Sequence, residues 1–172
     1  IDHLLTPDTK LSLEAYQKNY DHFPLDPNQP QLFVLDELFY RYGFFFNHEQ
    51  LVDQGKAIAK GVEIVLQKKL AKDFYGLASA AYFRARYRDI DGIWRDRVLD
   101  NRMLFSLEGG YKPDQNWEFS LRWIYAGGSP YTPFDLDASR AAHRSVLDEN
   151  KTNAERYPCL LYTSPSPRDG RI

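Results

Sequence analysis

The stretch Trp117–Tyr125, which reads WEFSLRWIY, decides the fold class of this chain. Apolar and polar residues alternate along it almost strictly, which is typical of a β-strand with one apolar and one polar face. Upstream, Met103–Tyr111 alternates in the same way, and the turn-forming sequence PDQN at 113–116 separates the two segments. Together they predict an antiparallel β-hairpin.

A second hairpin is predicted before the first. Val62, Ile64 and Leu66 form an apolar stripe, and a short turn at 71–73 leads into another alternating segment. We assign the apolar face of that segment to its odd positions, which are Tyr75, Leu77, Ser79, Ala81, Phe83, Ala85 and Tyr87. Its opposite face then carries small residues, one tyrosine and a row of arginines, namely Gly76, Ala78, Ala80, Tyr82, Arg84, Arg86 and Arg88. A weaker strand is predicted over 11–18 and a short helix over 35–42.

The connections between these segments alternate between short and long. The short ones lie at 5–8, 71–73 and 113–116, and the long ones at about 20–56, 89–101 and 127–153. Loops beyond about 12–15 residues are uncommon in compact domains, whereas outer-membrane barrels combine short turns on one side with long loops on the other. The alternation therefore favours an all-β barrel over a soluble β-sandwich, which stays the alternative.

Composition narrows the possible functions. The chain has 172 residues and a net charge of −2, so it has no basic field that would attract nucleic acid. Mean hydropathy is −0.56, and no apolar run approaches the ~20 residues of a transmembrane helix. The single cysteine, Cys159, excludes a disulfide framework and a multi-cysteine metal site.

Aromatic residues make up 15% of the chain, and several of them end the apolar stripes. From Trp117 to Tyr125 the strand spans roughly 26 Å, or about 19 Å at a tilt of ~45°, which approaches the ~25 Å apolar band of an outer-membrane barrel. Tyr and Trp rings at the borders of such a band keep their polar atoms among the lipid headgroups. We therefore predict these membrane-girdle aromatics: Tyr75, Tyr87, Tyr111, Trp117, Trp123 and Tyr125.

Two groups of residues are candidates for ligand contact. The segment 32–46 is dense in aromatic rings that could stack on a small nutrient, and its candidates are Phe39, Tyr40, Tyr42, Phe44 and Phe45. Packing of loop against loop is the alternative explanation of these rings. The row Arg84, Arg86 and Arg88 on the presumed lumen face could attract an anionic ligand, although pairing with neighbouring acids is the commoner fate of arginine.

No residue pattern predicts catalysis. The four histidines do not show a two-histidine metal spacing, and neither a nucleophile elbow nor a P-loop nor a Rossmann glycine pattern occurs. Asp89, Asp91, Asp96 and Asp100 could suggest calcium, but the interleaved arginines favour a salt-bridged, solvated loop. We expect neither enzymatic activity nor a cofactor nor a bound metal.

Several stretches resemble the barrels of TonB-dependent outer-membrane receptors, as found in Bacteroidetes-like bacteria. They are GKAIAKGVEIVLQKKL at 55–70, FYGLAS at 74–79, LDNR at 99–102, WIYAGGSPYTPFD at 123–135 and TPDTKLSLEAYQKNYDHFP at 6–24. The likeness covers about residues 1–158 as one partial barrel domain. The remainder, 159–172, reads CLLYTSPSPRDGRI and resembles translated sequencing-adapter sequence, so we expect it to be a non-native tail.

The resemblance implies an antiparallel meander of long hairpins that forms part of a 22-stranded transmembrane β-barrel. It implies a place in the outer membrane of a Gram-negative bacterium and active uptake of a siderophore, vitamin, saccharide or peptide. The implied partners are the lipid bilayer, a small nutrient and the TonB complex, which such receptors contact through an N-terminal plug region not found in this chain. No secretory leader precedes Ile1, and we expect a piece of a longer protein. A passive porin-like barrel and a soluble carbohydrate-binding β-sandwich stay open as alternatives.

Overall fold

The computed structural model describes residues 1–39 and 50–166, in which the chain forms one large antiparallel sheet and one small one. The strands are β1 (Asp2–Thr6), β2 (Thr9–Leu25), β3 (Val52–Ala71), β4 (Phe74–Arg88), β5 (Trp94–Asp96), β6 (Met103–Tyr111), β7 (Phe119–Ala126), β8 (Pro130–Tyr131), β9 (Glu155–Arg156) and β10 (Leu160–Ser166). The large sheet has the order β1-β2-β3-β4-β6-β7-β10, with β5 paired to β4, and the small sheet joins β8 to β9. The predicted all-β class is therefore confirmed.

The strands of the large sheet are long. β2, β3 and β4 contain 17, 20 and 15 residues, whereas strands of globular proteins usually contain about 5–6. Consecutive strands pair as hairpins, with Leu13 opposite Ile64 and Ile64 opposite Ala80. β2 and β3 extend well beyond the predicted apolar stripes, so the first long connection shortens from the expected 20–56 to 26–51.

The two predicted hairpins are present with small shifts. β7 begins at Phe119, so Trp117 lies in the connection before it, where Asp114 Oδ1 accepts hydrogen bonds from the backbone of Asn116 and Trp117 at 2.7 and 2.9 Å. The expected helix in the first long connection is a short 3-10 helix over Val34–Phe39. We call the end of the sheet near 7–8, 72–73 and 112–118 the turn end, and the other the connection end.

Tight packing is concentrated at the connection end rather than between two layers. Leu25, Phe33, Ala57 and Tyr87 form a buried cluster there, with Phe23, Val52 and Ile90 packed against it. The last long connection adds helix α1 (Leu136–Ala142) and a 3-10 helix over Glu149–Lys151. The Asp135 side chain caps α1 by accepting from the backbone of Asp137 and Ala138. None of the helices in the described ranges has the length and apolar character needed to span a membrane.

Part of the expected non-native tail, Leu160–Ser166, forms the edge strand β10 of the large sheet. β10 pairs with β7, with Leu161 opposite Tyr125 and Pro165 opposite Leu121. A proline is compatible with this position because β10 is an edge strand whose outer side needs no ladder partner. The foreign origin of 159–172 stays a prediction.

Candidate functional site

One face of the large sheet, which we call the apolar face, carries the hydrophobic side chains of five neighbouring strands, β2, β3, β4, β6 and β7. Residues directly opposite each other in a ladder share a face. Ile64 lies opposite Ala80, Ala80 opposite Phe105, and Phe105 opposite Tyr125, so the ladder defines one continuous surface. Its larger members are Leu11, Leu13, Val62, Ile64, Leu66, Phe105, Leu107, Leu121, Trp123 and Tyr125. Val62, Leu107 and Leu121 remain 54%, 47% and 52% exposed.

The predicted facing of β4 is wrong. The registers place its even residues, such as Ala78, Ala80 and Tyr82, on the apolar face beside Leu66, Ile64 and Val62. Its odd residues therefore belong to the opposite face. The local pattern was ambiguous because β4 has apolar side chains on both faces, among them Leu77 and Phe83 at odd positions. The partner strands, rather than β4 itself, decide its orientation.

The small even residues of β4 leave a shallow groove in the apolar face. It has a volume of about 700 Å³ and lies over Ala15 and Ala80. Larger apolar side chains surround it, including Leu13, Val62, Ile64, Tyr82 and Phe105. Glu14 and Glu63 also line the groove, but the registers place their side chains on the opposite face, so the side chains around the groove are mainly apolar.

Aromatic rings border the apolar face at the turn end. Phe74, Tyr111 and Phe119 lie in one row across three strands, and the rings of Phe74 and Tyr111 stack at 4.6 Å between centroids. Trp117 stacks on Phe119 at 6.0 Å. Towards the connection end, Trp123 and Tyr125 stack at 6.5 Å on the same face. The girdle role of Tyr111, Trp117, Trp123 and Tyr125 stays a prediction, on a face that they do share.

Tyr75 and Tyr87 do not belong with those four rings, because the corrected facing of β4 places both on the opposite face. The Tyr75 hydroxyl donates to Glu118 Oε1 at 2.6 Å, and its ring fills the space that a side chain at Gly110 would need. Tyr87 is fully buried and donates to the backbone oxygen of Gln31 at 2.6 Å. A buried ring cannot border a lipid surface, so the girdle assignment of Tyr87 is wrong.

A cationic row follows the apolar face directly at the connection end. Lys60 lies opposite Arg84, and Lys56 opposite Arg88, on the same face as Val62 and Tyr82. Arg86 stands between these two pairs, opposite Ile58. The prediction that Arg84, Arg86 and Arg88 point away from the apolar side chains is therefore wrong, as a consequence of the corrected facing of β4. Lys60 is two positions before Val62, and residues two apart in a strand lie on the same face, so the sequence already indicated that Lys60 belongs to the apolar face.

Asp96 on β5 is the centre of an ion-pair network beside this row. Its carboxylate accepts hydrogen bonds from Arg84 Nη2 at 3.2 Å, Arg102 Nη2 at 3.1 Å and Arg156 Nη2 at 2.7 Å. Burial alone would raise the pKa of Asp96, but the hydrogen bonds from Arg156, Arg102 and Arg84 outweigh burial and hold the pKa below its ordinary value. Asp96 is therefore anionic while these guanidinium groups surround it.

Three of the four aspartates in the connection 89–102, namely Asp89, Asp96 and Asp100, are paired and little exposed, whereas Asp91 is exposed. Asp89 pairs with Arg95 at 2.7 Å, and Asp100 with Arg156 at 2.6 Å. The predicted salt bridges are thus present, but the expectation of a solvated loop is wrong, because the side chains of Asp89 and Asp100 are 0% exposed. Within the described residues no group of three or more potential ligands is placed to hold a metal ion.

The aromatic segment 32–46 contributes packing where it is described. Phe33 is fully buried, stacks on Tyr87 at 4.9 Å and meets Phe23 edge-on at 5.5 Å. The guanidinium carbon of Arg97 lies 4.8 Å from the centre of the Phe33 ring, and Arg97 also pairs with buried Asp36. The backbone of Phe39 ends the 3-10 helix, whereas Tyr40, Tyr42, Phe44 and Phe45 lie outside the described residues.

Side chains of the last long connection form hydrogen bonds with the same network. Arg156 Nη1 donates to the backbone oxygens of Asp100 and Gly128, and Asn153 Nδ2 donates to the Asp96 backbone oxygen at 2.9 Å. The Tyr131 hydroxyl donates to Glu155 at 2.7 Å, and this hydrogen bond raises the pKa of Tyr131. Sequence reasoning missed Arg156 because its partners are 56 and 60 positions away.

Comparison of the chain with protein-family models, with curated proteins and with solved structures found no match.

Proposed function

We propose that this chain is part of the wall of an outer-membrane transport barrel of the TonB-dependent receptor kind. The observation that carries the proposal is the exposed apolar face, which crosses five strands and ends in aromatic rings at one border and cationic side chains at the other. Water does not favour so large an apolar surface on a soluble monomer. Acyl chains of a bilayer would cover it without any further protein layer.

The dimensions of the apolar face support a membrane. From the row of Phe74 to the row of Tyr82 there are eight residue steps, which is roughly 26 Å along the strand and about 19 Å at a tilt of ~45°. An outer-membrane barrel shows an apolar band ~25 Å tall between its aromatic girdles. Strands as long as β2 and β3 continue past this band at the connection end, as the walls of large barrels do.

The opposite face supports an aqueous interior. In mid-strand it carries Glu63, Ser106 and Glu108, and Arg122 Nε lies 3.8 Å from Glu108 Oε2 across neighbouring strands. Small residues such as Gly61 and Ala81 also lie on this face. Charged groups that pair across strands are stable in a wide, water-filled lumen.

The TonB-dependent kind of barrel is proposed from the family resemblance of residues 1–158. In that function the long connections capture a scarce nutrient, and the TonB complex of the inner membrane supplies energy through a plug region elsewhere in the protein. The nutrient class is a siderophore, vitamin, saccharide or peptide, and no covalent chemistry is required. A passive porin-like barrel differs by the absence of a plug domain, so the complete reading frame that contains this segment discriminates between the two.

The membrane facing can be tested with the fluorescence of Trp123. In the full-length protein that contains this segment, every tryptophan except Trp123 is replaced by Phe, the protein is refolded into phosphatidylcholine bilayers, and quenching by lipids brominated on their acyl chains is measured. We expect strong quenching, because Trp123 lies within the apolar face. The matched control moves the indole by one residue, through Trp123→Phe with Ile124→Trp, to the opposite face, where we expect weak quenching.

Equal quenching at both positions would contradict the proposal. A soluble β-sandwich would instead protect Trp123 from the lipid altogether, because a second sheet would cover the ring. Within residues 1–39 and 50–166, however, the second sheet consists of two strands of two residues each, which weighs against that alternative.

A further inference from the structure

We propose that the apolar face holds an anionic phospholipid-type molecule at a defined site, with an acyl chain in the groove over Ala80 and the phosphate at Lys60 and Arg84. This inference rests on the proposed function, since it requires that the apolar face meets lipid. It goes further because it assigns a particular lipid chemistry to particular residues.

The first support is the position of the charges. The groove is lined by Val62 and Tyr82, and the next row on the same face is formed by Lys60 and Arg84. Two residues of a strand span about 7 Å, so the cationic groups begin one row above the apolar depression. A phospholipid has the same sequence of chemistry, because its phosphate directly follows the acyl region.

The second support is an excess of positive charge. Among the residues that the structure describes, Arg84, Arg86, Arg102 and Arg156 pair with two carboxylates, those of Asp96 and Asp100. Lys60 is exposed, and no ion pair of Lys60 occurs among the residues that the structure describes. An anionic headgroup would therefore find unneutralised cations at this border.

The third support is the hydrogen bonding of the arginines. The Nε atoms of Arg84, Arg86 and Arg102 are buried and have no hydrogen-bond acceptor in the described part of the chain, so a headgroup on the surface would meet the exposed part of each guanidinium group rather than these atoms. Arg86 Nε is 3.5 Å from Asp96 and Arg102 Nε is 3.8 Å from Asp100, distances that leave an ion pair without hydrogen-bond geometry. The network has more donors than acceptors, and phosphate oxygens are the acceptors that arginine and lysine recognise best.

An anionic lipid fits both parts of the site, because its acyl chain matches the apolar groove and its phosphate matches Lys60 and Arg84. A soluble anion would use the cations and leave the groove empty, whereas an apolar peptide would fill the groove without neutralising the cations. Membrane-adjacent Lys and Arg side chains each favour anionic lipid by an amount equivalent to about a five-fold change in binding. The geometry thus selects an anionic lipid over a zwitterionic one.

The test is flotation of the 172-residue chain with vesicles of two compositions, phosphatidylcholine alone and phosphatidylcholine in which one lipid in three is phosphatidylglycerol. We expect the chain to bind both and to prefer the anionic vesicles. Lys60→Gln should lower the anionic binding constant about five-fold, and Lys60→Gln with Arg84→Gln roughly 25-fold, with binding to neutral vesicles unchanged. Lys60 is exposed, so we expect Lys60→Gln to fold normally, and its result stands even if the double variant misfolds.

The matched control is Lys18→Gln. Gln17 lies opposite Lys60, so Lys18 is at nearly the same height but on the opposite face. It should leave the anionic preference intact, and an equal loss in Lys18→Gln would overturn the proposal by showing a general charge effect. A preference retained in the double variant would overturn it as well.

A competition experiment tests whether the acyl chains are needed for binding in addition to the headgroup. Glycerophosphoglycerol carries the same headgroup without acyl chains, and we expect it not to compete at constant ionic strength; full competition would overturn the role of the groove. Failure of the wild-type chain to bind neutral vesicles would count against the proposed membrane function itself. Binding to neutral vesicles without an anionic preference would defeat only the lipid site.

Discussion

The ring of Phe33 stacks on the ring of Tyr87 at 4.9 Å, and both residues are fully buried. The contact joins the first long connection to the end of β4, 54 positions later in the chain.

Phe33→Ala should therefore release the first long connection. Loss of a buried phenylalanine costs about 3–5 kcal/mol, which here falls on the local contact between residues 26–36 and the sheet. We expect faster proteolysis and faster amide exchange in that segment. Leu35→Ala is the control, because Leu35 is 44% exposed and should change neither rate. Equal effects of the two substitutions would show that the Phe33 contact does not hold the segment.

Asp100→Ala should loosen the connection between β4 and β6. The buried carboxylate accepts from the backbone of Ala85 at 2.8 Å and from Arg156 at 2.6 Å, so its removal leaves the Ala85 N–H without this acceptor and leaves Arg156 Nη2 with Asp96 alone as its carboxylate partner. Breaking a buried ion pair from one side costs about 3–5 kcal/mol. Asp91→Ala, at an exposed position of the same connection, should be silent in thermal unfolding and amide exchange. A silent Asp100→Ala would contradict the structural role of this network.

Asp8 should show a pH dependence confined to acid. Hydrogen bonds from Lys68 and then Thr6 lower the pKa of Asp8 from 3.8 to about 2. Because the folded pKa is depressed, the ionised carboxylate stabilises the first turn above the unfolded pKa, and this stabilisation is lost as pH falls through about 2. A carboxyl ¹³C titration by NMR measures the midpoint.

Lys68→Gln should return the Asp8 midpoint towards 3.8, because Lys68 Nζ lies 2.6 Å from Asp8 Oδ2. Lys69→Gln, one position further on, should not move it. A midpoint near 3.8 in the unmodified chain would show that the Asp8–Lys68 pair does not form in solution.

Leu121→Arg and Arg122→Leu test the two faces of β7. The arginine at 121 would lie on the apolar face and should cost about 2–4 kcal/mol of folding free energy in a bilayer. The leucine at 122 faces the other way and loses only an exposed ion pair with Glu108, so folding should tolerate it. Denaturant titration in lipid measures both values. If the two variants were equally harmless, the assignment of faces would be wrong.

The sequence was sufficient for the hairpins but not for all of their faces. β7 has a clear period because its odd positions are aromatic or aliphatic and Glu118, Ser120 and Arg122 are not. β4 has apolar residues at both parities, so only pairing with β3 and β6 fixes its orientation. Registers depend on contacts between segments far apart in the chain, and a local period carries no information about them.

The buried network at the connection end was harder to predict for the same reason. Its charged residues look solvated in sequence, since Asp and Arg are mostly exposed. They are buried here because each finds an opposite charge, either within its own connection, as Asp89 does with Arg95, or from another connection, as Asp96 does with Arg156. Phe33 lies in the aromatic segment 32–46, but nothing in the neighbouring sequence distinguishes it as a buried ring.

The links Asp36–Arg97 and Asp96–Arg156 each join two different connections, and the three connections meet in the segment around β5. Displacement of one connection would break an ion pair with the next. We therefore expect the linked parts of the three connections to move together rather than independently. A molecule that binds to one connection and displaces it would then also shift the other two through these ion pairs.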